Sequence, residues 1–192
     1  MTPNKFSLNG KIKPITEATI SIANIEYAYG FGVYETIRVI KRIPYFLNEH
    51  AKRLLISAKI IELGHKILAD DIKKYVEELV KELDSNEAYN LKILLIGAKN
   101  PDDCLIYIFP SKPIFPEKKI KRDGVEVLTV QYERPFPNAK TLNMLQSYLA
   151  FRKAKINNCY DALAVDRNGG ITEGTMTNFF LIKDKTIFTA PK

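Results

Sequence analysis

Three side chains in this sequence, Lys140, Glu173 and Arg53, carry the functional groups that one particular organic cofactor needs from a protein. A lysine amine can form a Schiff base with an aldehyde, and a carboxylate can keep a ring nitrogen protonated. A guanidinium can grip a phosphate group through several N–H donors at once. Together the three groups match what pyridoxal phosphate requires of its binding site.

The local sequence around Lys140 favours a sheltered position for its amine. The residue follows the proline-broken stretch Pro135–Ala139 and precedes a predicted helix over residues 142–156, with Leu145, Leu149 and Ala150 expected to face inward. A backbone held between a loop and a helix can be fixed by packing while the amine points into a cleft. Position alone also fits a solvated lysine near a helix start, and that alternative stays open.

Glu173 and Arg53 each allow two interpretations, a functional one and a solvent-exposed one. Glu173 interrupts a segment of apolar and small residues at the end of a predicted strand, and Gly174 after it would let a ring or another backbone approach closely. A turn residue exposed to water fits equally well. Arg53 lies on a predicted helix one turn after His50, where a solvated arginine and a structural histidine are the commoner outcomes.

Periodicity predicts the elements that would position these groups. Asn9-Gly10 predicts a β-hairpin near the start of the chain, because both residues tolerate positive φ. Residues 33–40 alternate with period two and predict a strand, and residues 49–63 predict an amphipathic helix with Asn48 as its N-cap. The polar face of the strand would line a surface or pocket with three side chains: Tyr34, Thr36 and Arg38.

Composition and charge narrow the range of possible binding partners. The net charge of +7 could favour nucleic acid, anionic lipid or small anionic substrates, but the lysines are scattered over helical faces and indicate solvated surface. We therefore predict neither a nucleic-acid nor a membrane partner. Gly30-Phe31-Gly32 lacks the third glycine of a dinucleotide-binding motif, so that reading is discounted.

The two cysteines, Cys104 and Cys159, indicate neither a metal site nor a disulfide framework, because no second Cys or His lies at ligand spacing. A reducing compartment fits best. The N-terminal residues lack a signal-peptide pattern, and no apolar run approaches the length that spans a membrane. The sequence therefore predicts a cytoplasmic protein without a bound metal.

A change in composition predicts a domain boundary. Residues 110–116 contain three prolines, and the charge run Lys118–Arg122 follows them. The predicted organisation is an N-terminal α/β domain over residues 1–110, a linker over 111–122, and the first part of a second domain over 123–192.

Four blocks of the sequence, residues 29–38, 47–54, 140–143 and 172–180, resemble motifs of the class IV family of pyridoxal-phosphate enzymes and occur in the family's order. That family comprises branched-chain aminotransferases, D-amino-acid transaminases and aminodeoxychorismate lyases. The resemblance covers nearly the whole chain. It implies a two-domain α/β (α+β) fold, with an N-terminal α/β sandwich, an incomplete barrel-like C-terminal α/β domain, and assembly as a homodimer.

The resemblance also implies roles for individual residues. Lys140 would hold pyridoxal 5'-phosphate as a Schiff base and move a proton, Glu173 would pair with the ring nitrogen, and Arg53 would bind the phosphate. Asn178 would also contact the cofactor, whereas Tyr34, Thr36 and Arg38 would face the substrate. The implied activity is ping-pong transfer of an amino group between an amino acid, with the branched-chain type favoured, and a 2-oxo acid.

Several departures from the family pattern keep alternatives open. Phe31 stands where the family often has Asp, and Leu145 stands where branched-chain members usually carry Tyr. Gly97-Ala98 replaces an Arg-Gly pair that many D-specific members use, and the chain stops short of a typical member's length. A D-amino-acid transaminase, an aminodeoxychorismate lyase, or a non-catalytic truncated form of the fold are the alternatives.

Overall fold

The computed structural model describes residues 4–83 and 87–190, and the chain divides into two compact units. The first unit consists of Met1–Ile114 together with Asn138–Asn143. The second consists of Phe115–Pro137 and Met144–Lys192. The domain boundaries that the sequence suggests, with a linker over residues 111–122, stay a prediction.

The first unit is built on a six-stranded sheet in which every pair of neighbours is antiparallel. The predicted hairpin across Asn9 and Gly10 is confirmed, and both residues have positive φ, 49° and 81°. The predicted strand over residues 33–40 is confirmed as well. In chain order the strands are β1 (Lys5–Leu8), β2 (Lys11–Pro14), β3 (Gly32–Ile40), β4 (Ile43–Pro44), β5 (Tyr89–Ile96) and β6 (Leu105–Ser111). Across the sheet the order is β2-β1-β6-β5-β3-β4.

Helices cover one face of this sheet. They are α2 (Leu47–Ile60) and α3 (Ala69–Glu82), whereas the short helix α1 (Ile25–Ala28) lies between β2 and β3 in the chain. Apolar residues of α2 and α3 at helical spacing pack on the buried side chains of β3, β5 and β6, which explains why these segments form amphipathic helices here. The prediction of Asn48 as N-cap is wrong, because α2 begins at Leu47 after Phe46, whose φ is 54°.

The opposite face of the sheet has a smaller apolar cluster around Phe6, Ile96 and Tyr107, and partly buried Leu142 packs against it. Tyr34, Thr36 and Arg38 alternate with the residues of β3 that face the helices. Because successive strand residues point to opposite sides, these three side chains lie on the face away from α2 and α3.

The short segment Asn138–Asn143 pairs with the beginning of β3. Tyr34 N–H donates to the Lys140 carbonyl at 2.8 Å, and Leu142 N–H donates to the Gly32 carbonyl at 2.8 Å. Val33 and Thr141 form the bridge between these two bonds. The lysine of the predicted site is therefore attached to the first unit by backbone hydrogen bonds.

The second unit contains a three-stranded sheet, a separate hairpin and two helices. The sheet strands β7 (Val127–Gln131) and β8 (Asp161–Val165) are parallel, and helix α5 (Leu145–Ile156) lies between them in the chain. Strand β9 (Ile171–Gly174) is antiparallel to β8. Part of the predicted linker is helical. The elements are α4 (Lys118–Asp123), β7 (Val127–Gln131), α5 (Leu145–Ile156), β8 (Asp161–Val165), β9 (Ile171–Gly174), β10 (Phe180–Lys183) and β11 (Thr186–Thr189).

Helix α5 turns small side chains, not leucines, towards the sheet. Ser147, Ala150 and Ala154 are its buried residues, and Ala150 and Ala154 pack with Ala162 of β8. The prediction that Leu145 and Leu149 face inward is wrong, since they are 61% and 46% exposed. Small residues at the contact let the helix backbone approach the sheet closely, and this outcome is not visible in hydrophobic periodicity alone.

Within the described ranges, no helix has both the length and the apolar character needed to cross a bilayer.

A side chain at position 32 would collide with the neighbouring chain, which explains the glycine there. A Cβ at this position would come within 2.7 Å of the Leu95 carbonyl oxygen and 2.6 Å of a Leu142 methyl carbon. We expect Gly32→Ala to lower the free energy of unfolding by about 1–3 kcal/mol, because a backbone oxygen cannot move aside cheaply. Urea denaturation followed by circular dichroism measures this change.

Gly64→Ala is the matched control, since its Cβ would meet the Pro101 ring, with Cγ at 3.3 Å, and no backbone atom. The steric argument fails if the two variants lose the same stability.

Candidate functional site

A buried carboxylate lies at the centre of the first unit's polar cluster. Glu35 is on the helix-facing side of β3 with an exposed fraction of 0%. Its two oxygens accept hydrogen bonds from Arg53: Nε at 2.5 Å on one and Nη2 at 2.8 Å on the other. His50 Nδ1 lies 2.9 Å from the second oxygen. Two residues one helical turn apart on α2 therefore hold a single carboxylate of β3.

This pairing controls the charge of Glu35. Burial raises the pKa of the Glu35 carboxyl, but the hydrogen bonds from Arg53 and His50 outweigh burial, so the pKa lies below its ordinary value of 4.5. The same contact raises the pKa of Arg53. Because an ionised carboxylate can only accept, His50 Nδ1 must carry the proton that points to it.

Arg53 keeps the capacity to bind an anion in addition to Glu35. Its side chain is 50% exposed, whereas that of Glu35 is fully buried. A guanidinium has five N–H donors, and the two bonds to Glu35 use only part of them. The solvated side of Arg53 therefore has N–H donors available while the other side is fixed to β3, and its role as a phosphate ligand stays a prediction.

Lys140 lies in the same cluster. Its carbonyl accepts from Tyr34 N–H at 2.8 Å, and its own N–H donates to Ser57 Oγ of α2 at 3.2 Å. The partly buried side chain places Nζ 5.2 Å from the centroid of the Tyr34 ring. The amine is thus positioned by β3 on one side and by α2 on the other.

The sheet face beside Lys140 contains one cation that the sequence interpretation missed. Lys92 of β5 stands directly opposite Thr36, and its Nζ is 5.7 Å from the Tyr34 ring centroid. Arg38 lies two residues further along β3, opposite Asn90. This neighbourhood depends on the β3–β5 register, so a single strand pattern could not have revealed it. Cations around an aromatic ring suit a substrate that carries carboxylate groups.

Glu173 has a charged partner of its own in the second unit. Arg134 places Nε 2.5 Å from one carboxylate oxygen and Nη2 3.1 Å from the other. The two side chains are 24% and 27% exposed, so neither is fully desolvated. Arg134 also donates to the Pro137 carbonyl at 3.0 Å. The sequence interpretation did not single out Arg134, which lies 39 residues from Glu173 in the chain.

The backbone around Glu173 is fixed on both sides. Glu173 pairs with Ala164 of β8 and, through an isolated bridge, with Asn178, which is itself exposed. Thr175 Oγ1 and Thr177 Oγ1 donate to the buried Asp161 carboxylate at 2.5 and 3.1 Å. The turn after Glu173 is therefore attached to the beginning of β8.

The structure thus groups the predicted residues into two sets. Five of them belong to the first unit: Tyr34, Thr36, Arg38, Arg53 and Lys140. Two belong to the second unit, Glu173 and Asn178. Among residues 4–83 and 87–190, no three His, Cys, Asp or Glu side chains are grouped as a metal ion would need.

The sequence profile described as "Amino-transferase class IV" matches residues 32–192. This chain belongs to the class IV aminotransferase family. The match includes every predicted site residue, from Tyr34 to Asn178. The mixed α/β fold is that of this family, and the chain covers part of the full-length fold.

Individual relatives agree with this assignment. The chain is 29% identical over 198 residues to a D-alanine aminotransferase of Bacillus licheniformis, and the match covers 97% of this chain and 68% of the relative. The structure of a branched-chain aminotransferase from Thermoproteus uzoniensis with norvaline matches with a TM-score of 0.85 at 25% identity. That match covers 98% of this chain and 68% of the other.

A second solved structure supports the fold. The branched-chain amino acid aminotransferase of Thermobaculum terrenum in its PLP form matches with a TM-score of 0.78 at 20% identity, over 97% of this chain and 66% of that one. Class IV aminotransferases depend on pyridoxal phosphate. The side chains of this aminotransferase family member are of the kinds that this cofactor needs, because Arg53 has N–H donors left over and the backbone of Lys140 is bonded to the same helix.

The ionisation of Glu35 should govern acid stability. A lowered pKa in the folded state means that this ion pair stabilises the fold above pH 4.5, the ordinary value for a glutamate, and that the contribution is lost as the pH falls through the folded value. Glu35→Gln should lower the free energy of unfolding at pH 7 by about 1–3 kcal/mol and flatten its dependence on pH below 4.5.

Urea denaturation at pH 3 to 7 measures this effect, in roughly unit steps chosen to cross the glutamate range. Glu82→Gln, which removes an exposed ion pair with Lys5, is the control and should change the acid limb much less, because water screens that pair. An equal response in both variants would contradict a special role for Glu35.

The Arg134–Glu173 pair should contribute measurable coupling. A double-mutant cycle with Arg134→Gln and Glu173→Gln is expected to give about 1–2 kcal/mol, since the bonds are charge-assisted and partly shielded from water. The exposed pair Arg167–Glu133 has the same chemistry, with Arg167 80% exposed, and should give a smaller coupling. Equal coupling in the two pairs would mean that Glu173 is not held by Arg134.

Proposed function

We propose that this protein is a pyridoxal-phosphate-dependent aminotransferase that moves an amino group between an amino acid and a 2-oxo acid by a ping-pong mechanism. The observation that carries the proposal is the connected cluster of Lys140, Tyr34, Glu35 and Arg53 in the first unit. An amine and a phosphate-binding guanidinium are held there by the same strand and the same helix.

Pyridoxal phosphate supplies a carbonyl that accepts an amino group and a ring that stores the electron pair left when the substrate loses its α-proton. Arg53 would bind the phosphate through its exposed side, and the ion pair with Glu35 would keep the guanidinium from turning away. A preoriented guanidinium loses little conformational entropy when an anion arrives.

Lys140 would form the covalent link to the cofactor and afterwards carry the substrate α-proton. Both tasks need an amine that reaches the same place repeatedly, and the backbone bonds to Tyr34 and Ser57 support this. The Tyr34 ring beside Nζ would shelter the amine from bulk water.

Glu173 would pair with the ring nitrogen, and Asn178 would assist in holding the cofactor. The carboxylate is kept in place by Arg134, and one of its oxygens would accept from the ring N–H. Tyr34, Thr36 and Arg38 would contact the substrate from the open face of the first unit's sheet.

Branched-chain amino acids are our favoured substrates, because a solved relative with a TM-score of 0.85 is a branched-chain aminotransferase. D-alanine is the second candidate, since a relative at 29% identity is a D-alanine aminotransferase. Lys92 beside Tyr34 adds a cation that would also accept an acidic side chain. Assembly as a homodimer and a cytoplasmic location complete the proposal.

The decisive test uses the 192-residue chain with pyridoxal phosphate. An absorbance band that borohydride converts into a permanent adduct on Lys140, located by peptide mass mapping, is the expected result. Lys140→Ala should abolish band and adduct, because the amine that forms the link is removed. Lys99→Ala, which changes an exposed lysine, is the control and should behave like the wild type.

A wild-type protein that yields no adduct even with excess cofactor would refute catalysis by this chain. If the adduct forms, both enantiomers of alanine, leucine and glutamate should be offered as amino donors. Turnover only with aminodeoxychorismate would overturn the transaminase assignment in favour of a lyase.

A further inference from the structure

Two of the polar contacts that helix α2 makes around the predicted site lie one helical turn apart. Arg53 holds Glu35 of β3, and Ser57, four residues later, reaches the backbone of Lys140. Ser57 has an exposed fraction of 0%, and its Oγ lies 3.2 Å from the Lys140 amide nitrogen. Residues four apart lie on the same side of a helix, so the two contacts share one face of α2.

A buried serine within a helix commonly donates its hydroxyl proton to a carbonyl one turn earlier. Such a bond leaves the oxygen lone pairs available. In α2, the Ser57 oxygen accepts the amide proton of a residue 83 positions away in the chain. A bond between such distant residues fixes the tertiary arrangement, not the helix itself.

The backbone of Lys140 is fixed from two directions as a result. Its carbonyl accepts from Tyr34 N–H at 2.8 Å, and its N–H donates to Ser57. The Tyr34 bond attaches the lysine to the sheet, whereas the Ser57 bond attaches it to the helix that carries Arg53. Loss of the Ser57 hydroxyl would leave an amide N–H in a sheltered place without this acceptor.

We propose that Ser57 is a positioning residue for Lys140: it fixes the lysine to the helix that carries Arg53, so that α2 sets the separation between the amine and the guanidinium. This rests on the proposed function, in which these two groups hold opposite ends of the same cofactor. A rigid helical turn suits the task, because the geometry of reacting groups has to be held within a fraction of an ångström.

The first experiment needs no cofactor. Amide hydrogen exchange at Lys140, measured by ¹⁵N NMR, should be on the order of tenfold faster in Ser57→Ala than in the wild type. Ser57→Thr keeps the hydroxyl oxygen and should restore slow exchange. Ser147→Ala is the matched control, since Ser147 is also a buried helical serine but bonds to the Tyr132 hydroxyl.

The second experiment measures the rate at which borohydride traps pyridoxal phosphate on Lys140 at saturating cofactor. Ser57→Ala should slow trapping on the order of tenfold, Ser57→Thr should recover it, and Ser147→Ala should leave it unchanged even if its melting temperature falls. A merely structural role for Ser57 would lower the melting temperature and leave the trapping rate unaffected.

The exchange and trapping results together decide whether Ser57 positions Lys140. Unchanged Lys140 exchange in Ser57→Ala refutes the proposal, and so does faster exchange with unchanged trapping. If Ser57→Ala does not fold, Ser57→Cys replaces it, because a thiol keeps the shape but is a weak acceptor. A wild type that traps no cofactor refutes the proposed function, whereas the exchange comparison still tests whether Ser57 fixes Lys140.

Discussion

The arrangement of the first unit depends on a carboxylate buried without access to water. Glu35 lies among apolar side chains of β3, and an ionised group there is tolerable only if it is paired and hydrogen-bonded. Arg53 and His50 satisfy it from α2, which restricts the helix to one position along the strand. The partially solvated Arg53 reduces the cost of the pair, since only one member is fully desolvated.

From this constraint the position of Lys140 follows. Once α2 is fixed against β3, Ser57 and the start of β3 define a narrow place for the segment Asn138–Asn143. The absence of a side chain on Gly32 lets that segment approach the strand. The buried Glu35–Arg53 pair is thereby linked to the backbone of Lys140 through β3 and α2, with direct hydrogen bonds at each step. Each residue of this link contacts the next directly.

Much of the first unit could be predicted from the sequence, because its elements follow simple periods. The alternation over residues 33–40 and the Asn9-Gly10 turn were sufficient for a strand and a hairpin. Glu35 was not singled out although it falls on the apolar face of that strand pattern, because its partners appear only when α2 packs on β3. Lys92 and Arg134 could not be found, since their importance depends on register and on residues distant in the chain. Helix α5 was predicted, and so was the burial of Ala150, but the inward placement of Leu145 and Leu149 was wrong because small residues, which periodicity counts weakly, decide its buried face.

The hairpin of β10 and β11 affects the tendency of the protein to self-associate. All eight of its strand residues are exposed, and apolar side chains occur on both faces, with Ile182 opposite Ile187 on one and Leu181 opposite Phe188 on the other. Water is a poor solvent for such a ribbon, and a strand edge flanked by isoleucine and phenylalanine is a template for pairing with another molecule. These eight residues lie far from Lys140 in the chain, and their exposed apolar surface would favour self-association of the protein at high concentration.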